Sequence, residues 1–224
     1  SSEQLKDSAN HSTDSVVSTT ESVDYLKVAS LLKQTTEILS SALGRAKTEK
    51  PEVDPSKVIT VTSANDADVL VIGDSVTLGA KAAIESTISR SFVDAKESRG
   101  IETATVLIAG YAASGHLAKT IVISLATNQR NITELTLRDI VNVAGNDHNF
   151  VLITAYAGPL QPRDKQNAAL KAFADSHQNV YLADWWAIAH NNWSLMYADH
   201  IHLNPEGRMT YANMLRNVLE GVRK

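Results

Sequence analysis

Between residues 69 and 222, short apolar runs alternate with segments of helical periodicity, and few architectures accept that order. The runs are Val69 to Ile72, Phe92 to Ala95, Thr120 to Leu125, Asn149 to Thr154 and Asn179 to Leu182. They have strand length and are bounded by turn-forming residues. Helical spacing marks Thr77 to Ile88, Ile132 to Val143, Asp164 to Ser176 and Pro205 to Val222. Apolar strands joined by helices predict a parallel sheet covered on both faces, an α/β fold of three layers. In such a sheet ligands bind beyond the carboxyl ends of the strands. Ser75, Ser98 and Asn128 each follow a different strand at that end.

Two short motifs stand out against this background. Gly73-Asp74-Ser75 directly follows the first apolar run, and Asp199-His200-Ile201-His202 precedes the last helical segment. Gly-Asp-Ser is a common turn, and its serine most often caps a helix or bonds local backbone. At a strand-to-helix junction, however, the amides of the new helix face any negative charge that develops beside the serine. A serine hydroxyl needs a base to take its proton, and a histidine oriented by a carboxylate supplies one. Asp199 and His202 can form that pair within one loop, while Asn204 caps the helix that Pro205 begins.

These motifs resemble the signature blocks of the SGNH (GDSL-type) serine hydrolases and transferases, over roughly residues 66 to 222. The resemblance implies Ser75 as nucleophile, His202 as base and Asp199 as its orienter. It also implies an oxyanion hole from the Ser75 amide, the Ser98 amide and the Asn128 side chain, with the amide of Gly100 as a competitor to Ser98. Ala126 stands where the third block usually has glycine. The stretches LVIGDSV, VDAKESR, NVYLADWW and DHIHLNPEG are most similar to the extracytoplasmic domain of Gram-positive peptidoglycan O-acetyltransferases. The fold implied is an SGNH hydrolase-like, flavodoxin-like sandwich preceded by an N-terminal helix. The activity implied is acetyl transfer through an acetyl-serine to a hydroxyl of N-acetylmuramic acid or N-acetylglucosamine, without a cofactor. The donor is expected from an upstream membrane acyltransferase domain, and the place of action is the outer face of a Gram-positive cell membrane. A secreted carbohydrate or lipid esterase would use the same residues. A non-catalytic wall-binding module is the alternative that Ala126 favours and the intact Ser75, Asp199 and His202 oppose.

Composition narrows the partners. The 224 residues carry a formal net charge of -4, which argues against nucleic acid, and no cysteine, which removes disulfides and thiolate chemistry. Residues 1 to 21 are rich in Ser, Thr and Asp and read as a disordered linker. Residues 22 to 57 read as an amphipathic helix followed by a proline-containing linker, and 58 to 224 as the catalytic domain. The first residue is Ser and not Met, which favours a piece of a longer protein.

Other polar residues have plainer roles available. Asp74 is expected to bond loop amides, and Asp184 to cap a turn. His200 and His202, if extended, would point the same way and could hold a metal with Asp199, but no further ligand cluster completes such a site. Trp193, Tyr197 and Tyr156 are candidate walls for a sugar, alongside core packing for most aromatics of that stretch. Arg99 is either a substrate contact or a structural ion-pair partner.

Overall fold

A computed structural model describes residues 30–37 and 54–222. The chain divides into two units, Ser1–Glu52 and Val53–Lys224. Within the first, residues 30–37 are helical with exposed side chains. The remainder of the expected N-terminal helix and the linkers around it lie outside the described residues.

The second unit is built on five parallel strands, β1 (Val69–Gly73), β2 (Ser91–Ala95), β3 (Thr120–Ser124), β4 (Asn149–Ile153) and β5 (Val180–Ala183). Their order is β2-β1-β3-β4-β5, the flavodoxin-like arrangement. β3 and β4 are buried at every position, as strands covered on both faces must be. Alternate residues feed two cores. Val71, Val93, Val122 and Val151 face α1 (Ser75–Thr87) and α6 (Pro205–Glu220). Leu70, Ile72, Ile121, Ile123 and Phe150 face α2 (Ala104–Ala113), α3 (Glu134–Ala144) and α4 (Asp164–Ser176).

The structure departs from the sequence expectation in its helices. α2 carries apolar residues on every side, including Val106 at 73 % exposure, so no amphipathic period marks it. The short α5 (Trp185–Ala189) is also absent from the expectation; Asp184 caps it through the Ala187 amide at 3.1 Å. α1 begins at Ser75 itself, two residues before the apolar periodicity starts, because Asp74 caps it.

Gly73, Ala95 and Ser124 end β1, β2 and β3 side by side in register. The ladder runs one step further, with Asp74 N–H donating to the Ser124 carbonyl (3.1 Å) and Lys96 N–H to the Gly73 carbonyl (3.1 Å). Three loops therefore leave the sheet from one line, at the point where the strand order reverses.

Candidate active site

The Asp199 carboxylate, His202 and Ser75 form one hydrogen-bonded line. Asp199 Oδ2 lies 2.7 Å from His202 Nδ1, and His202 Nε2 lies 3.1 Å from Ser75 Oγ. An ionised carboxylate can only accept, so Nδ1 carries the proton, and the free lone pair on Nε2 faces the serine hydroxyl, which donates to it. The other Asp199 oxygen accepts from the amides of Ile201 (2.9 Å) and His202 (3.0 Å). Partial burial pushes the Asp199 carboxyl up, but the His202 hydrogen bond, these two amides and the imidazolium charge outweigh it and hold it below its ordinary value. The carboxylate is thus fixed in both charge and direction.

Local sequence explains the loop. Asn204 accepts from the Gly207 amide (2.9 Å) to cap α6 and donates from Nδ2 to the Ser194 carbonyl (2.6 Å), stitching the loop to the preceding turn. Tyr197 N–H donates to the His202 carbonyl at 2.9 Å, and Met196 bridges Leu203. His200 sits at φ 56°, the left-handed region, which turns its ring away from His202 and onto Trp193 at 4.3 Å between centroids. The condition for a shared face of His200 and His202, an extended segment, is therefore not met, because the segment is a tight turn and not a strand. Among the described residues no group of three or more His, Cys, Asp or Glu is placed to hold a metal ion.

Asp74 is fully buried. Its Oδ1 accepts from the Val76 amide at 3.0 Å, while Oδ2 lacks a hydrogen bond of full strength. Burial raises its carboxyl above the ordinary value, against the pull of the Thr127 hydroxyl and amide, the Val76 amide and, more weakly, the His202 charge. Beneath it the buried Tyr211 hydroxyl pairs with Ser124 Oγ (2.7 Å) and Thr77 Oγ1 (3.1 Å), joining α6 to β3 and α1 under the serine.

None of the three candidate oxyanion donors is spent elsewhere: no hydrogen bond within the described residues uses the Ser75 amide, the Ser98 amide or the Asn128 side chain. Ser98 holds φ 56° in the turn after β2. Arg99 fastens that turn, donating to the Asp94 carboxylate (2.8 Å) and carbonyl (2.6 Å), with its side chain only 10 % exposed. Tyr111 donates to the second Asp94 oxygen at 2.7 Å. Arg99 thus forms the structural ion pair that is one of the two roles open to it.

Two residues that sequence reasoning passes over hold the Asn128 loop. Arg163 Nε donates to the Thr127 carbonyl (2.8 Å), and the buried Gln166 donates to the carbonyls of Gln129 (2.9 Å) and Arg130 (2.7 Å). Both lie at the start of α4, about forty positions away, and no local motif announces a tertiary clamp on backbone carbonyls.

Trp193 (45 % exposed) and Tyr197 (49 %) flank the His202 loop. Trp193 donates from Nε1 to the hydroxyl of Tyr156, itself buried, at 2.7 Å. Trp193, Tyr197 and, through its hydrogen bond to Trp193, Tyr156 are thus gathered at the loop that carries Asp199 and His202.

Solved structures share this fold. The C-terminal catalytic domain of Streptococcus pneumoniae peptidoglycan O-acetyltransferase A, with a methylsulfonyl adduct, superposes at a TM-score of 0.63 with 23% identity, covering 71% of this chain and 95% of that one. A lipolytic protein of the G-D-S-L family from Veillonella parvula matches at 0.52 and 17% identity, over 68% and 96% of the two chains. The fold is that of the SGNH (GDSL-type) hydrolases. In sequence, the chain is 29% identical over 148 residues to the "Putative peptidoglycan O-acetyltransferase YrhL" of Bacillus subtilis. That match takes in 66% of this chain and 23% of the relative, so the chain spans less than a quarter of the relative's length. No protein-family model matches the chain. As an SGNH fold, the chain presents the expected strand-end loops around Ser75.

Proposed function

We propose that this domain is a serine-dependent O-acetyltransferase acting on peptidoglycan. The observation that carries the reading is the hydrogen-bonded line Asp199–His202–Ser75. Likeness in sequence to YrhL and in fold to the pneumococcal domain supports the choice of substrate.

In the first half-reaction His202 Nε2 takes the Ser75 proton as Oγ attacks the acetyl carbonyl. Negative charge moves to the carbonyl oxygen, which the amides of Ser75 and Ser98 and the Asn128 side chain receive. Each good donor of this kind contributes about 2.7–4 kcal/mol in the transition state. Collapse breaks the bond to the leaving group, which takes the proton from His202 and leaves acetyl-Ser75. A hydroxyl of N-acetylmuramic acid or N-acetylglucosamine then gives its proton to His202 and attacks the acetyl carbon, and Ser75 recovers its proton as it departs. No metal or cofactor enters these steps. The donor, on this reading, reaches the outer face of a Gram-positive membrane through an acyltransferase domain elsewhere in a longer protein. The described residues include no helix long and apolar enough to cross a membrane.

One observation favours a second reading. The His202 and Asp199 side chains are 47% and 45% exposed, so water has access to the acetyl-serine, as a carbohydrate esterase would require. A paired assay separates the two: an activated acetyl ester, with and without muropeptide or chitooligosaccharide, following free acetate and acetylated sugar by mass spectrometry. Acetylated sugar made by the intact chain and not by Ser75→Ala establishes the transferase. Acetate alone, indifferent to acceptor, replaces it with the esterase.

A further inference from the structure

The carboxyl ends of β4 and β5 enclose a second cavity, of about 240 Å³. All strands run parallel, so it opens at the same end of the sheet as Ser75. Thr154, Leu182 and Trp186 line it, with Asp184 on one side and Asp164 and Lys171 of α4 on the other. One face of the Trp186 indole is covered by the His190 ring, stacked at 4.0 Å and 2°.

The polar groups around this cavity are only partly committed. Asp184 uses Oδ1 for the Thr154 hydroxyl (2.8 Å) and the Ala187 amide (3.1 Å), and its Oδ2 accepts no hydrogen bond among the described residues. Asp164, exposed, accepts none at either oxygen. Lys171 gives one of its three protons to Asp175 at 2.8 Å. An aromatic wall, open carboxylate oxygens and an ammonium around a small cleft match the chemistry of a pyranose. Its C–H face packs on a ring, its hydroxyls donate to carboxylates, and its N-acetyl carbonyl accepts from a cation.

One backbone segment connects the surroundings of the first site with the cavity. Thr154 lines it, while Tyr156, two residues on, receives the Trp193 hydrogen bond beside the His202 loop. Two residues of backbone span at most about 7 Å. The cavity and the anchor of Trp193 therefore belong to one short segment at the carboxyl end of β4.

We propose that this cavity is a second pyranose subsite, which grips a glycan strand at a sugar beyond the one presented to Ser75. The proposal rests on the glycan reading of the active site, and it concerns binding alone, so it is tested apart from transfer. Chitobiose and chitohexaose are titrated calorimetrically into the Ser75→Ala protein, which cannot turn over. The hexamer is expected to bind at least tenfold more tightly than the dimer. Adding Trp186→Ala, or the exposed and isosteric Asp164→Asn should the former unfold, is expected to remove most of that gain and to leave dimer affinity within about twofold. A hexamer that gains nothing over the dimer, or keeps its gain in both variants, overturns the subsite. Failure of acetyl transfer with the length-dependent binding intact would instead overturn the proposed function and leave the subsite standing.

Discussion

Gly207, in the first turn of α6, lies so close to the carbonyl of Leu195 that a side chain at position 207 would collide with it. The contact sets the depth at which the last helix docks, and with it the loop that holds His202. Gly207→Ala is expected to cost about 1–3 kcal/mol or more, since a backbone carbonyl cannot swing aside as a side-chain tip can. Gly79→Ala, at a helical position with open space around it, is expected to stabilise by about 0.5–1 kcal/mol. Urea unfolding of the pair checks both signs.

Asp199→Asn keeps an oxygen for the Ile201 and His202 amides but cannot hold the imidazolium, so kcat should fall by about 10²–10⁴. Its effect on stability depends on pH. Because the folded carboxyl titrates below its ordinary 3.8, ionised Asp199 stabilises the fold above that pH, and the contribution is lost as pH falls through the lowered folded value. The melting-temperature gap between wild type and variant should therefore be largest near neutrality and close below pH 3.8.

Asp74 has the opposite sign. Burial raises its carboxyl, so the folded state holds this proton more tightly than the unfolded chain, and stability falls as pH rises from 3.8 through the folded value. Asp74→Asn removes that fall. Its melting temperature relative to wild type should become more favourable between pH 4 and pH 7, while ester turnover drops because the charge between Ser75 and the Thr127 loop is gone. Parallel melting and kinetic series across that range test the pair of trends.

Asn128→Ala should lower kcat by about 10²–10³ with little change in melting temperature, since its exposed side chain holds nothing else in place. Gln166→Leu, which frees the carbonyls of Gln129 and Arg130, should lower both kcat and melting temperature, as expected of a positioning residue. Equal melting losses in the two variants would contradict the separation.

The alternation of apolar runs fixes most of the sandwich, because strands buried on both faces leave a continuous signal, as in TIVIS and NFVLI. α2 escapes the same reasoning, since a helix apolar on all sides shows no period. At the site, the two short motifs name the residues that the structure draws into line with Ser75, as each motif is held within one turn. Arg163 and Gln166 leave no such trace: what they grip is backbone, and backbone has no sequence. The direction of His200 is hidden for a related reason, because spacing cannot show that a single residue turns left-handed.

Asp199 and His202 sit three residues apart in a loop fastened to the start of α6, whereas Ser75 is 127 positions upstream of the histidine. During synthesis the nucleophile emerges before its base and stays inert, with no base beside it, until α6 seats. Until that point the nascent domain is chemically silent, and the reaction proposed for it begins only once α6 has docked.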